Sequence, residues 1–131
     1  MQKIITAALI VVAVIHLIPV TGVMGGDRLS ALYGLSLQEP NISILMRHRA
    51  ILFGLMGLFF LYAAFKPALQ PLAFVAGFTS VLSFFVLSWL VGDFNEAIRK
   101  IIIGDIVAFI SLVLAWFLYV ISSRRRTDVG P

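Results

Sequence analysis

Residues 71–91 read PLAFVAGFTSVLSFFVLSWLV, an apolar run in which no side chain carries a charge. Crossing a hydrocarbon core of roughly 30 Å takes about 20 helical residues at 1.5 Å each, and this stretch is long enough. With no water to satisfy N–H and C=O groups, the backbone must pair within itself, so the run is expected to be a transmembrane helix. Pro71 opens it at a position that needs no N–H. Ala73, Ala76, Gly77, Ser80 and Ser83 share one face, and small residues mark close helix contacts in lipid.

Three more runs follow the same logic. Residues 4–23 are apolar behind Lys3, as in a signal peptide, but the run exceeds a usual signal core and reads as a retained span. Residues 42–65 form a second span, with Asn41 or Ser43 as the expected N-cap and Lys66-Pro67 as the stop. Arg47, His48 and Arg49 fall in its first two turns, from where arginine can snorkel to the headgroups. Residues 94–122 form the fourth span. Asp93-Phe94-Asn95-Glu96 fits a capping box, with Asp93 as the cap and Glu96 reaching back. Gly104, Ala108, Ser111 and Ala115 make its small-residue stripe, which either meets that of residues 71–91 or serves a homo-oligomer. Gly54 and Gly57 offer another close approach, and Pro19 should bend the first span.

Residues 25–41 are too polar to cross. Leu29, Leu32, Tyr33 and Leu37 share one face, which predicts a short interfacial helix ending near Glu39-Pro40. The connections around Lys66 and Gly92 are short, so neighbouring spans run antiparallel. The expectation is an all-α, four-helix transmembrane bundle, a single transmembrane domain over residues 1–131.

The composition agrees. Of 131 residues, 61% are hydrophobic and 12% charged, against about 25% charged in soluble domains, and the mean hydropathy is +1.07. A soluble or disordered chain is excluded. With no cysteine, so are disulfides, thiolate metal sites and iron–sulfur clusters. No basic stripe with interleaved aromatics points to nucleic acid, so the excess cations are expected to meet anionic membrane lipids.

Four spans put both termini on one side, with Lys3, Lys66, Arg124, Arg125 and Arg126. Arg28, Arg47, Arg49, Arg99 and Lys100 lie on the other. The tally is even, so the positive-inside rule leaves dual topology open. The terminal arginine triplet faces few acids besides Asp128, whereas Arg28 adjoins Asp27 and Lys100 follows Glu96 by four residues. This favours cytoplasmic termini.

The polar residues inside the spans carry the functional question. Alternate spans reverse direction, so His16 near the end of the first, Arg47, His48 and Arg49 near the start of the second, and Asp105 early in the fourth share one depth, opposite the termini. An unpaired charge there costs about 2.5–3.5 kcal/mol on insertion scales. Arg47 and Arg49 point about 200° apart around a helix with 3.6 residues per turn, so only one can face inward. Two readings follow. Asp105 and one arginine form a helix-locking ion pair in a structural or accessory subunit. Alternatively, His16, Arg47, His48, Arg49 and Asp105 head a cavity that binds an amphipathic molecule such as a lipid or a quinone-like compound. Catalysis would rest on His16 and Asp105 alone, without paired carboxylates, a Ser–His–Asp arrangement or a nucleotide loop, so no catalytic residue is assigned. Haem held between His16 and His48 is a further reading. Metal-ligand spacing is absent.

Leu32-Tyr33-Gly34 in the first connection, and Met46-Arg47-His48-Arg49-Ala50 leading into Leu52-Phe53-Gly54, resemble small bacterial four-span proteins of the DoxX-like group. The resemblance implies an inner-membrane protein without an established catalytic set.

Overall fold

The computed structural model describes residues 1–37 and 39–127, with side chains as far as Arg124. Five α-helices are present among the described residues: α1 (Gln2–Leu17), α2 (Gly26–Tyr33), α3 (Pro40–Ala64), α4 (Gln70–Val91) and α5 (Glu96–Thr127). There is no strand among the described residues. Among the described residues, four segments are long and apolar enough to cross a membrane: Gln2–Met24, Pro40–Ala64, Pro67–Val91 and Glu96–Arg124. The chain is an all-α four-helix bundle of the multi-pass membrane type. Arg125, Arg126 and Asp128, used above to argue orientation, have side chains outside the described residues.

The outward faces fit a lipid solvent. Trp89 is 82% exposed and Leu45 68%, far more apolar surface than a water-soluble monomer shows. The α5 helix has 32 residues, about 48 Å at 1.5 Å each. That exceeds the hydrocarbon thickness, so its arginine-bearing end projects beyond the core.

The α1 helix is the hub. Ile5, Ala8, Leu9, Val12, Ala13 and His16 are buried at helical spacing, and α1 packs most extensively on α3 and α5. Alanine on the buried faces lets the backbones approach, since close van der Waals contact drives helix association in lipid. Gly57 of α3 faces Leu17 and the Ala13 carbonyl of α1, and Gly77 of α4 faces Leu112 of α5. Ala73, Ala108 and Ala115 are fully buried. The stripes of α4 and α5 are therefore used within the chain. The bend expected at Pro19 appears as a change of helix type, from α to a 3-10 segment over Ile18–Met24.

Three details of the helix ends differ from expectation. The α2 helix stops at Tyr33 rather than near Glu39, because Gly34 takes a left-handed conformation at φ 65° and closes it, as a C-terminal glycine does at little steric cost. The α3 helix is capped by Glu39, not by Asn41 or Ser43. Its carboxylate accepts from the Asn41 amide at 3.1 Å and the Ile42 amide at 2.8 Å. Pro40 explains this: it favours N1 and forces the preceding residue to be extended, which makes residue 39 the cap. The α5 helix is capped by Asn95, not Asp93. Asn95 Oδ1 accepts from the Ile98 amide at 2.9 Å, while Asp93 lies in the turn at φ 43°. Glu96 pairs with Arg99 at 2.9 Å instead of reaching back.

The Glu39 cap is pH-sensitive. The Ile42 and then the Asn41 amide hold its carboxyl below the usual glutamate range. Its folded pKa is depressed, so the cap stabilises α3 above the ordinary glutamate pKa and is lost as pH falls through the lowered value. Hydrogen–deuterium exchange, corrected for intrinsic rates, is expected to show the first turn of α3 protected at neutral pH and frayed in acid. A Glu39→Gln variant should fray more at neutral pH and lose the acid-dependent step.

Candidate functional site

At the end of the bundle away from the termini, the helices part around a cavity of about 420 Å³, within the range of small-molecule sites. Each long helix supplies a wall. From α5, Ala97, Lys100, Ile101, Gly104 and Asp105 face it, an i, i+3, i+4 series that keeps one face of a helix on one side. His16 comes from α1, Arg49 and Phe53 from α3, and Ser80 and Phe84 from α4. The α2 helix closes the end with Ala31, Leu32 and Tyr33.

His16 is 2% exposed. Its Nδ1 lies 2.9 Å from the Val12 carbonyl and its Nε2 3.0 Å from Ser80 Oγ. A carbonyl only accepts, so Nδ1 carries the proton and, in the neutral ring, the Ser80 hydroxyl donates to Nε2. The ring stacks near Phe53, centroids 5.6 Å apart, and meets Phe60 edge-on at 4.8 Å. His16 thus joins α1 to α4, two helices that otherwise touch little.

Arg49 is clamped. Its Nη1 donates to Tyr33 Oη at 2.8 Å, and its guanidinium carbon lies 4.8 Å from the Phe53 ring centroid and 5.4 Å from that of Tyr33. Cation–π contact at such distances is favourable, more so away from water. Phe53 sits one turn beyond Arg49, where an i, i+4 partner should. Tyr33 is in turn fixed by Asn95, whose Nδ2 donates to the Tyr33 carbonyl at 2.8 Å. The residue that caps α5 therefore also holds α2 over the cavity.

Asp105 faces the same space. No ion-pair contact within 4 Å joins it to Arg49, and the carboxylate has no hydrogen bond among the described residues. The expected helix-locking pair is not formed, because Tyr33 and Phe53 hold the guanidinium elsewhere. Lys100 also reaches the cavity without a hydrogen bond or ion pair among the described residues; Arg99, not Lys100, takes Glu96.

Of the five residues singled out from sequence, His16, Arg49 and Asp105 line one cavity and two do not. Arg47 is exposed, and its Nε donates to the Val23 carbonyl at 2.9 Å, satisfying a group orphaned at the end of the 3-10 segment. His48 is exposed and off the cavity. Among the described residues, no three His, Asp or Glu side chains converge on a metal position.

The far end of the bundle also holds polar groups. Gln70 is fully buried there, with neither amide atom hydrogen-bonded among the described residues. Nearby in depth, Thr6 Oγ1 donates to the Ala64 carbonyl at 2.8 Å and ties α1 to α3. No family model, curated protein or solved structure matches the chain.

Proposed function

We propose that this protein binds an amphipathic molecule, such as a lipid or a quinone-like compound, in the cavity between its four spans. One observation carries the reading: charged and polar groups from separate helices, Arg49, Lys100, Asp105 and His16, share a cavity with apolar walls. A polar head and an apolar body are what such a lining complements. Groups already ordered need little reorganisation on binding, which favours affinity. The alternative, a structural or accessory subunit glued by an Arg–Asp pair, has less support, because Arg49 rests on Tyr33 and Phe53 rather than on Asp105. In this reading the termini are cytoplasmic, on the strength of the terminal arginines, and the cavity belongs to the outer leaflet of a bacterial inner membrane.

Gly104 supplies the test. A Cβ added there meets nothing within 4 Å, so a Gly104→Leu side chain enters open cavity space. Native mass spectrometry of the protein in mild detergent is expected to show a bound small molecule on wild type and its loss from Gly104→Leu, with thermal stability retained. A bare wild-type chain, or equal occupancy in both proteins, contradicts the reading.

A further inference from the structure

The separation of Arg49 from Asp105 is informative in itself. Opposite charges facing one apolar space attract strongly, because the surroundings screen them little. A flexible arginine would close on the carboxylate unless held back. Here it is held back by the Tyr33 hydroxyl and by two aromatic faces. Lys100, five residues before Asp105 on α5, also lines the cavity and adds a second cation to it. The cavity thus presents two cations and one carboxylate, the carboxylate without a hydrogen bond or ion pair among the described residues.

We propose that the ligand's head group carries both charges: a phosphodiester that takes Arg49 and Lys100, and a primary ammonium that takes Asp105. The chemical class is a phosphoethanolamine-type membrane lipid. This rests on the amphiphile reading above and narrows it. Arginine and lysine are the usual partners of phosphate oxygens, and ionised donor–acceptor pairs are the strong hydrogen bonds. A carboxylate accepts from an N–H-bearing ammonium, whereas a trimethylammonium offers no N–H. A glycerol head brings the phosphate charge alone and leaves Asp105 without a cation. A neutral quinone matches neither charge. The apolar walls, Ile15, Phe53, Phe84 and Ile101, receive the start of the chains. A two-chain lipid exceeds 420 Å³, so the tails continue into the bilayer.

The experiment is lipid competition read by native mass spectrometry. The delipidated full-length protein is offered an equimolar mixture of phosphatidylethanolamine, phosphatidylglycerol, phosphatidylcholine and an alkyl benzoquinone. Wild type is expected to retain phosphatidylethanolamine over each of the others by about tenfold or more, the factor that one charge-assisted hydrogen bond supplies. Asp105→Asn should keep binding phospholipid while that preference collapses. The wild-type ranking decides the matter even where a variant folds poorly. Phospholipid bound without preference for the ethanolamine head, or a preference unchanged in folded Asp105→Asn, overturns the head-group assignment and leaves the amphiphile reading standing. Retention of the quinone alone does the same. A wild-type protein that retains none of the four overturns both.

Discussion

Arg49→Ala is expected to lower amphiphile affinity by about 10- to 150-fold, the equivalent of the roughly 1.5–3 kcal/mol that a hydrogen bond to a charged group contributes. Arg49 is the cation that the clamp of Tyr33 and Phe53 fixes at the head of the cavity. Its removal subtracts both the charge and the geometry. Arg49→Lys separates these contributions. A lysine keeps the charge but neither the planar fork nor the aromatic stacking, so its affinity should fall between wild type and alanine. Arg47→Ala is the matched control, since Arg47 is exposed and bonded to the Val23 carbonyl outside the cavity. Its occupancy should stay within about twofold of wild type, the scatter of context-dependent surface changes. The check is lipid-to-protein stoichiometry after titration in detergent. Equal losses in Arg47→Ala and Arg49→Ala would remove the special role of Arg49.

Gly57→Ala is expected to be the most damaging single-methyl change in the bundle. A Cβ there would lie 2.7 Å from Leu17 Cγ and 3.1 Å from the Ala13 carbonyl oxygen. Leu17 can turn away, but the α1 backbone cannot, so α1 and α3 must separate. Overpacking of this kind costs about 1–3 kcal/mol. The loss extends to the helix that holds the core together, because α1 carries the longest buried stripe. Gly104→Ala is the opposite case, with open space around its Cβ and better helix propensity by about 1 kcal/mol. Thermal unfolding in one detergent should order the three proteins with Gly57→Ala lowest and Gly104→Ala at or above wild type. A Gly57→Ala variant as stable as wild type would mean that α1 and α3 do not approach as closely as described.

Much of this architecture is written in the chain. Apolar length alone gives four spans, and antiparallel reversal puts His16, Arg49 and Asp105 at one depth. That is why three residues distant in sequence could be named together and are found lining one cavity. Rotation about the helix axis is harder to read. Arg47 and Arg49 are equally polar, and what turns Arg49 inward is Tyr33 from another helix together with Phe53 one turn on. The Phe53 spacing was visible in the sequence; the Tyr33 contact depends on where α2 docks. Lys100 was overlooked because Glu96 four residues earlier looked like its partner, yet Arg99 at i+3 takes that acid. The series Ala97, Lys100, Ile101, Gly104, Asp105 would have found it.

Helix ends were misread where two polar residues compete for one cap. Asp93 and Asn95 both qualify by type, but the left-handed turn through Gly92 and Asp93 leaves Asn95 at the entry of α5. Glu39 took the α3 cap because Pro40 fixes the register. Gln70 adjoins Pro71 at the head of a span, where a polar residue is ordinarily wet, yet packing places it wholly inside. In each case short-range chemistry names the possible partners, and tertiary packing selects among them.

The central claim is that the space between the spans is a binding site. Photocrosslinking in native membranes addresses it directly. Cells fed a lipid precursor with a diazirine near the start of the acyl chain are irradiated, and the protein is digested and mapped. Adducts concentrated on Phe53, Phe84 and Ile101 are expected, with loss of that set in Gly104→Leu. Adducts spread over the outward-facing Val107, Ile110 and Leu114, and unchanged by Gly104→Leu, would show lipid only around the bundle and contradict the account.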